Sequence, residues 1–355
     1  MNIRAFITHK QAELFADCQD RFGVNSGTKS IAVSDGMGST WQQKIWAQLL
    51  VDNYIQSDTW NPNLESIKPL CSLWRSQVEA FIQHLKETNA PLNMVYRNER
   101  NLAEGRSAGA TFVGIRFNGN KWNGSVLGDS CLIEWNGTGA KFHTSQDVEA
   151  FDSYPDYFDS DASKEGKGIP KDINGELAVG EYLFLVSDPF SEFLLEHSKK
   201  GDIAHYVQQL LALSSHDDFE ALVGDWRKEG MHNDDTTLVI VENDNSADFS
   251  TQEQDDINSY VETEKLEKEN QQEIVSEQII QSAKEDKVES GAQADESLIP
   301  IDPNVFIHEF LSEYKSILIQ ECKILKDLKF KATEKAARKT LNKLFENYSV
   351  VKKEN

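Results

Sequence analysis

Four aspartates stand where apolar, strand-like runs meet polar turns. Asp35 follows Ile31-Ala32-Val33-Ser34, Asp129 follows Ser125-Val126-Leu127-Gly128, and Asp188 closes Tyr182-Leu183-Phe184-Leu185-Val186-Ser187. Asp234 opens a run instead, just ahead of Thr236-Thr237-Leu238-Val239-Ile240-Val241. In an antiparallel sheet the ends of "up" strands and the starts of "down" strands share one rim. Carboxylates gathered at such a rim repel one another unless a cation lies between them. Hard oxygen donors suit magnesium, manganese or calcium rather than zinc, so the spacing points to a metal site. After Asp35, Gly36 and Gly38 flank Met37 and let the backbone turn sharply, exposing a carbonyl beside a carboxylate. That pair is a starting point for binding two ions. The histidines are scattered without ligand-like spacing, which argues against zinc.

The elements that must hold these residues alternate between strand-like and helix-like stretches as far as about Glu242. A helix is expected over residues 41–55. A longer one is expected over residues 63–88, with Ile67, Cys71, Trp74, Val78, Phe81, Ile82 and Leu85 on one face and Pro91 as its stop. Trp41, Trp46 and Trp74 read as core. Strands are expected over residues 111–117, 125–127 and 131–135, and helices over 190–196, 203–213 and 219–228. Residues 147–175 read as a long polar surface excursion, with the acidic run 156–161 as a solvated flap. Strands separated by blocks of paired helices argue for stacked sheet and helix layers rather than a simple βαβ repeat.

The order of these motifs resembles the metal-dependent type-2C protein serine/threonine phosphatases, the PPM type, and bacterial members most closely. The residues that carry the resemblance are Gln19-Asp20-Arg21-Phe22-Gly23, Ser34-Asp35-Gly36-Met37-Gly38, Ala108-Gly109-Ala110-Thr111, Val126-Leu127-Gly128-Asp129-Ser130, Leu185-Val186-Ser187-Asp188 and Asp234-Asp235-Thr236-Thr237. It spans about Asn2 to Glu242. It implies an α+β fold, an α-β-β-α sandwich of two antiparallel sheets flanked by helices. It also implies a phosphoric monoester hydrolase acting on phosphoserine or phosphothreonine through a water activated by two Mn²⁺ or Mg²⁺ ions. On this resemblance Asp35 bridges the ions, the Gly36 carbonyl binds one with Asp20 on its water shell, and Asp188 and Asp234 bind the other. Asp129 would hold a third, weaker ion that Asp188 shares. The chain departs from the pattern in three places. The stretch just before Gln19-Asp20, Glu13-Leu14-Phe15-Ala16-Asp17, holds no arginine to grip the substrate phosphate, leaving Lys10, Arg21 and His9 as nearby candidates. Met37 stands where some members carry a histidine, and Pro189 follows Asp188 where glycine is usual.

Among 355 residues, 27% are charged, and a formal net charge of -23 disfavours nucleic acid and anionic membranes as partners. Cys18, Cys71, Cys131 and Cys322 include no CxxC pair and read as reduced thiols of a cytoplasmic protein. No apolar run is long enough to span a bilayer, and no signal region follows Met1. Residues 243–298 are dominated by Glu, Asp, Gln, Asn and Ser and read as an acidic disordered linker. Residues 299–355 read as a helical hairpin. Asp302-Pro303 opens it, Phe306, Phe310, Tyr314, Ile317, Leu318, Leu325 and Leu328 form an apolar stripe, and Lys335, Arg338, Lys339 and Lys343 make it basic. The expected partners are a phosphoprotein substrate from a serine/threonine kinase system and, through the terminal helices, a protein partner or a second copy. The competing reading is a non-catalytic phosphatase-fold protein that binds or scaffolds.

Overall fold

The computed structural model describes residues 1–145, 155–164, 166–246 and 248–266. The chain opens with β1 (Asn2–Thr8), β2 (Arg21–Asn25) and β3 (Ser30–Ser34), then α1 (Gln43–Gln56), α2 (Lys68–Glu87) and α3 (Leu92–Ala103). Next come β4 (Gly109–Ala110), β5 (Phe112–Asn118), β6 (Lys121–Leu127), β7 (Cys131–Trp135) and β8 (Ala140–His143). They are followed by β9 (Phe158–Asp159), β10 (Lys171–Glu176) and β11 (Tyr182–Val186). The last part holds α4 (Asp188–Lys200), α5 (Ile203–Leu211), α6 (His216–Glu229), β12 (Thr236–Glu242) and β13 (Ser250–Gln254). Residues 257–266 are helical.

One sheet runs β13-β1-β12-β11-β7-β8 and the other β10-β6-β5-β3-β2, while β4 and β9 pair separately. The strands read as continuous apolar runs because both faces of each sheet are covered. Along β12, Val239 and Val241 pack between the sheets while Leu238 and Ile240 pack against the outer helices. Likewise β3 sends Ile31 and Val33 inward and Ala32 outward. Three apolar clusters result. One lies between the sheets, one joins the first sheet to α4, α5 and α6, and one joins the second sheet to α1 and α2. This is the α-β-β-α sandwich that the sequence implied.

The helix ends follow local chemistry. Ser215 caps α6 by accepting the Asp218 N–H at 3.2 Å. Pro189 falls in the first turn of α4, where a missing N–H costs nothing, so its departure from the usual glycine is accommodated. Pro91 stops α2 as expected but also stands immediately before α3, a helix the sequence reading lacks. The inward contacts of α3 are partly polar. Buried Asn98 accepts from Trp41 Nε1 and Gln42 Nε2, both at 3.1 Å, whereas Leu92 and Tyr96 are exposed. The apolar stripe of α3 is short, with Val95 and Leu102 separated by the buried polar Asn98.

Two further expectations need correction. Within the expected solvated flap, Phe158, Asp159 and Ser160 are buried, because β9 pairs with β4 and Ser160 Oγ accepts the Ala108 N–H at 2.8 Å. Within the expected surface excursion, β10 adds an edge strand to β6. Residues 248–266, which fall within the linker expected from residue 243, are structured. β13 pairs in parallel with β1, and Asp255 behind it is buried. Its carboxylate accepts from Ile7 N at 2.7 Å and Tyr260 Oη at 2.8 Å, and contacts His216 Nδ1 at 2.8 Å. Polar anchoring is joined by two aromatic contacts, Phe249 against Phe117 and Tyr260 against Phe15, and Phe249 and Tyr260 are isolated apolar residues in an otherwise hydrophilic stretch. The remaining residues of the expected linker and the hairpin of residues 299–355 lie outside the described residues.

A chain ended after residue 243 is expected to lose on the order of 3 kcal/mol of stability, from the three contacts that Asp255 makes. A chain ended after residue 266 keeps the full cooperative melt, and urea unfolding of both distinguishes the two. His216 generates a second expectation. Burial pulls its imidazole pKa down, but hydrogen bonds with Asp255 and Glu220 outweigh burial and push it up to about 9. A pKa raised in the folded state gives stability that is complete below the ordinary value of 6.5 and is lost as pH rises through about 9. Melting temperature should fall across that window, and His216→Gln should flatten the slope.

Candidate metal centre

The turns that carry the aspartates sit at one edge of the sandwich because of strand direction. β3 and β6 both run antiparallel to β5, so Asp35 and Asp129 leave the second sheet at the same end. β11 runs antiparallel to β12, so Asp188 at the end of one lies beside Asp234 before the start of the other. The rim is thus shared by two sheets rather than belonging to one. Asp20, just before β2, joins them because Arg21 pairs with Ser34.

Each turn is pinned by short hydrogen bonds. Asp35 accepts the Thr111 N–H through its carbonyl at 2.9 Å, and Ser34 Oγ donates to the Thr111 carbonyl at 2.6 Å. Gly36 pairs with Ala110, and a Cβ at this position would lie 3.0 Å from the Gln19 carbonyl and from Gln43 Cγ. Only glycine fits between those neighbours without displacing them. Gly128 has φ 96°, which turns the chain into Asp129. Ser191 Oγ, in the first turn of α4, then donates to the Asp129 carbonyl at 2.8 Å.

Asp35, Gly36, Asp129, Asp188 and Asp234 line one open cavity of about 650 Å³, together with Asp235, Glu192, Glu196, Met37, Phe193 and His232. Asp20 is fully buried beside Asp35. Its Oδ2 accepts from Thr237 Oγ1 at 2.7 Å, while its Oδ1 meets no donor among the described residues. Burial, then the charge of Asp235, pushes the Asp20 carboxyl up to about 7, against hydrogen bonds from Thr237 and Ser187. Asp35 rises well above the ordinary carboxylate range through burial and the charges of Asp20, Asp188 and Asp129. Asp188 does the same through burial and the charges of Asp129, Asp20 and Asp234. Burial and crowding thus both disfavour the charged forms of these carboxylates, and a cation among them would offset that cost.

Among the described residues, no group of three or more His, Cys, Asp or Glu side chains forms a ready ligand set for a single ion. The donors instead surround a wider space. That arrangement fits Mg²⁺ or Mn²⁺ held by one or two carboxylates with water completing the shell. The unpartnered Oδ1 of Asp20 and the mutual repulsion of its neighbours fit the same ions.

The sequence reading placed Asp35, Gly36, Asp129, Asp188 and Asp234 on the rim, and the structure brings them to one cavity. It does not bring the phosphate candidates there. Arg21 donates through Nη1 to the Cys18 and Asp20 carbonyls, and Lys10 Nζ lies 3.5 Å from Asp234 Oδ1 without lining the cavity. The His9 ring packs edge-on against Phe15. Glu192 and His232 have no place in the sequence reading, and Asp235 enters it only within the Asp234-Asp235-Thr236-Thr237 motif, without a role. Glu192 had a signal, since it lies one helical turn beyond Asp188 and therefore on the same face. His232 and Asp235 had none beyond proximity to Asp234.

A carboxyl pKa raised by folding gives stability that is complete below the ordinary value of 3.8 and lost as pH rises through about 7, the value for Asp20. With chelator present, the melting temperature is therefore expected to fall across that window. Asp35→Asn or Asp188→Asn should raise it at pH 7 by roughly 2–6 °C, because each removes one of the repelling charges. Mn²⁺ should raise the melting temperature of the unaltered protein instead. Lower melting temperatures for both variants in chelator would contradict this electrostatic account.

No protein-family model matches the chain, and no curated protein matches it. Solved structures that it resembles are serine/threonine phosphatases. One from S. agalactiae is 17% identical with a TM-score of 0.43, over 68% of this chain and 98% of that chain. Stp1 from Staphylococcus aureus is 14% identical with a TM-score of 0.43, over 67% and 93%. The catalytic domain of PstP, solved in complex with two manganese ions, is 16% identical with a TM-score of 0.40, over 67% and 96%.

Proposed function

We propose that this chain is a type-2C phosphoprotein phosphatase that hydrolyses phosphoserine and phosphothreonine and depends on Mn²⁺ or Mg²⁺. The observation that carries this reading is the gathering of Asp35, Asp129, Asp188 and Asp234 around one cavity, with Asp20 buried beside Asp35. Asp35 and the Gly36 carbonyl would hold one ion, with Asp20 reaching it through water. Asp188 and Asp234 would hold a second that Asp35 shares, and Asp129 a weaker third. Two ions held by these residues would supply positive charge toward the phosphoryl oxygens and would lower the pKa of a water for in-line attack.

The chain itself contributes position and charge balance. Thr237 and Ser187 orient Asp20, and Thr111 fixes the backbone of Asp35. Among the described residues seven carboxylates and no lysine or arginine line the cavity, so a phosphate is repelled until cations reverse the local charge. The buried free thiols of Cys18, Cys71 and Cys131 suit a reducing, cytoplasmic setting. Among the described residues no helix is long and apolar enough to cross a membrane. A kinase that phosphorylates serine or threonine would supply the substrate.

The missing cationic side chain favours one alternative, a non-catalytic protein that uses the same fold to bind or scaffold. Phosphate release from a phosphothreonine peptide separates the two. The expected result is turnover with Mn²⁺ that vanishes with chelator. Asp35→Asn, Asp188→Asn and Asp234→Asn should each lower kcat by about 10²-fold or more, and Asp129→Asn by less than about tenfold. Mn²⁺ binding without any turnover would favour the alternative. Full turnover in chelator, or a trapped phosphoenzyme, would exclude the two-ion reading.

A further inference from the structure

We propose that Asp235 is a positioning residue that staples residues 10–20 to the rim and thereby sets Asp20 for the cation. This rests on the metal-dependent reading above. Asp235 lies between Asp234 and β12 and is 5% exposed. Its Oδ1 accepts the Lys10 N–H at 2.9 Å and its Oδ2 accepts the Gln19 N–H at 2.7 Å. One carboxylate therefore closes both ends of an irregular loop. Inside the loop, the backbone bonds Glu13 N to Lys10 O, Asp17 N to Leu14 O and Cys18 N to Phe15 O make only local turns.

The chemistry of the two donors dictates the residue type. Two backbone N–H groups reach two different oxygens, so an amide side chain would satisfy one and confront the other with its NH₂. Charge alone would disfavour an aspartate here. Burial and the charge of Asp234 raise the Asp235 carboxyl, and Asp235 in turn raises Asp20. The N–H pair is what a carboxylate answers at this position.

From Gln19 the effect passes directly to the site. Asp20 is the next residue, and its Oδ2 takes the Thr237 hydroxyl from the same turn of chain. Asp235 thus holds the backbone before Asp20 while Thr237 holds its carboxylate, and Oδ1 is left without a donor. Gln19 also lines the cavity, and its carbonyl packs against Gly36. A shift of Gln19 would therefore move Asp20 and the Gly36 wall together.

Mn²⁺ binding measured by electron paramagnetic resonance tests this without relying on turnover. The full-length protein, Asp235→Asn, Asp20→Asn and the double variant would be titrated after near-ultraviolet circular dichroism confirms native packing. Asp235→Asn is expected to weaken Mn²⁺ binding about tenfold. The double variant should bind no more weakly than the poorer single variant, because one residue acts through the other. Unaltered affinity in Asp235→Asn, or losses that multiply, would overturn the proposal. No Mn²⁺ uptake by the unaltered protein would overturn the metal reading itself and this proposal with it. Should Asp235→Asn fail to fold, hydrogen exchange on the unaltered protein decides. Mn²⁺ should slow exchange across residues 10–20, and unchanged exchange there would sink the idea.

Discussion

Like-charge repulsion at the rim is the constraint around which this protein is arranged. The carboxyls of Asp20, Asp35 and Asp188 each carry the field of their neighbours as well as the cost of burial. Local relief is small: Lys10 Nζ lies 3.5 Å from Asp234, Thr237 donates to Asp20, and no lysine or arginine among the described residues lines the cavity. What holds the aspartates together is the scaffold: two sheets with apolar contacts on both faces, whose strand directions deliver four turns to one edge. A stable body spends part of its stability keeping an unstable site in place, the pattern expected where function demands crowded charge.

The means of holding is repeated from turn to turn. Each aspartate occupies the first positions beyond strand pairing, where backbone groups are no longer committed to a ladder. Small hydroxyl residues then take over as fasteners: Thr111 and Ser34 at Asp35, Ser191 at Asp129, Thr237 at Asp20. They satisfy buried polar groups without adding charge to a region that already holds too much of it. Pro189 and Gly128 complete the set by fixing backbone shape, one through a restricted φ and the other through a positive one.

What could be read from the sequence divides along a physical line. The core strands were legible because Val, Ile, Leu and Phe runs ended at aspartates, and strand direction then dictated where those aspartates would meet. The helix α3 was not legible, since its inward face uses Asn98 and its outward face shows Leu92 and Tyr96. The segment beyond Glu242 was misread for a related reason. It is attached by Asp255, Tyr260, Phe249 and the backbone of β13, and two isolated aromatics in an acidic, hydrophilic stretch give no periodic apolar signal. At the site, the first-placed carboxylates had strand ends to mark them. The role of Asp235 was not legible even though its motif was, because its partners at Lys10 and Gln19 are backbone N–H groups more than two hundred residues away in sequence.

The pairing of β1 with β12 also governs the order in which the molecule can come into being. Asn2 faces Glu242 and Thr8 faces Thr236, so β1 lies against a strand made more than two hundred residues later. At about 5–20 residues per second of synthesis, the first strand waits on the order of ten seconds to a minute for its neighbour. During that interval Ile3, Phe6 and Ile7 have no sheet to enter, and closing so long a loop makes the step slow once the partner exists. Asp188 and Asp234 reach the rim only when β11 and β12 are in place, so the crowded charge is assembled after most of the structure that must withstand it.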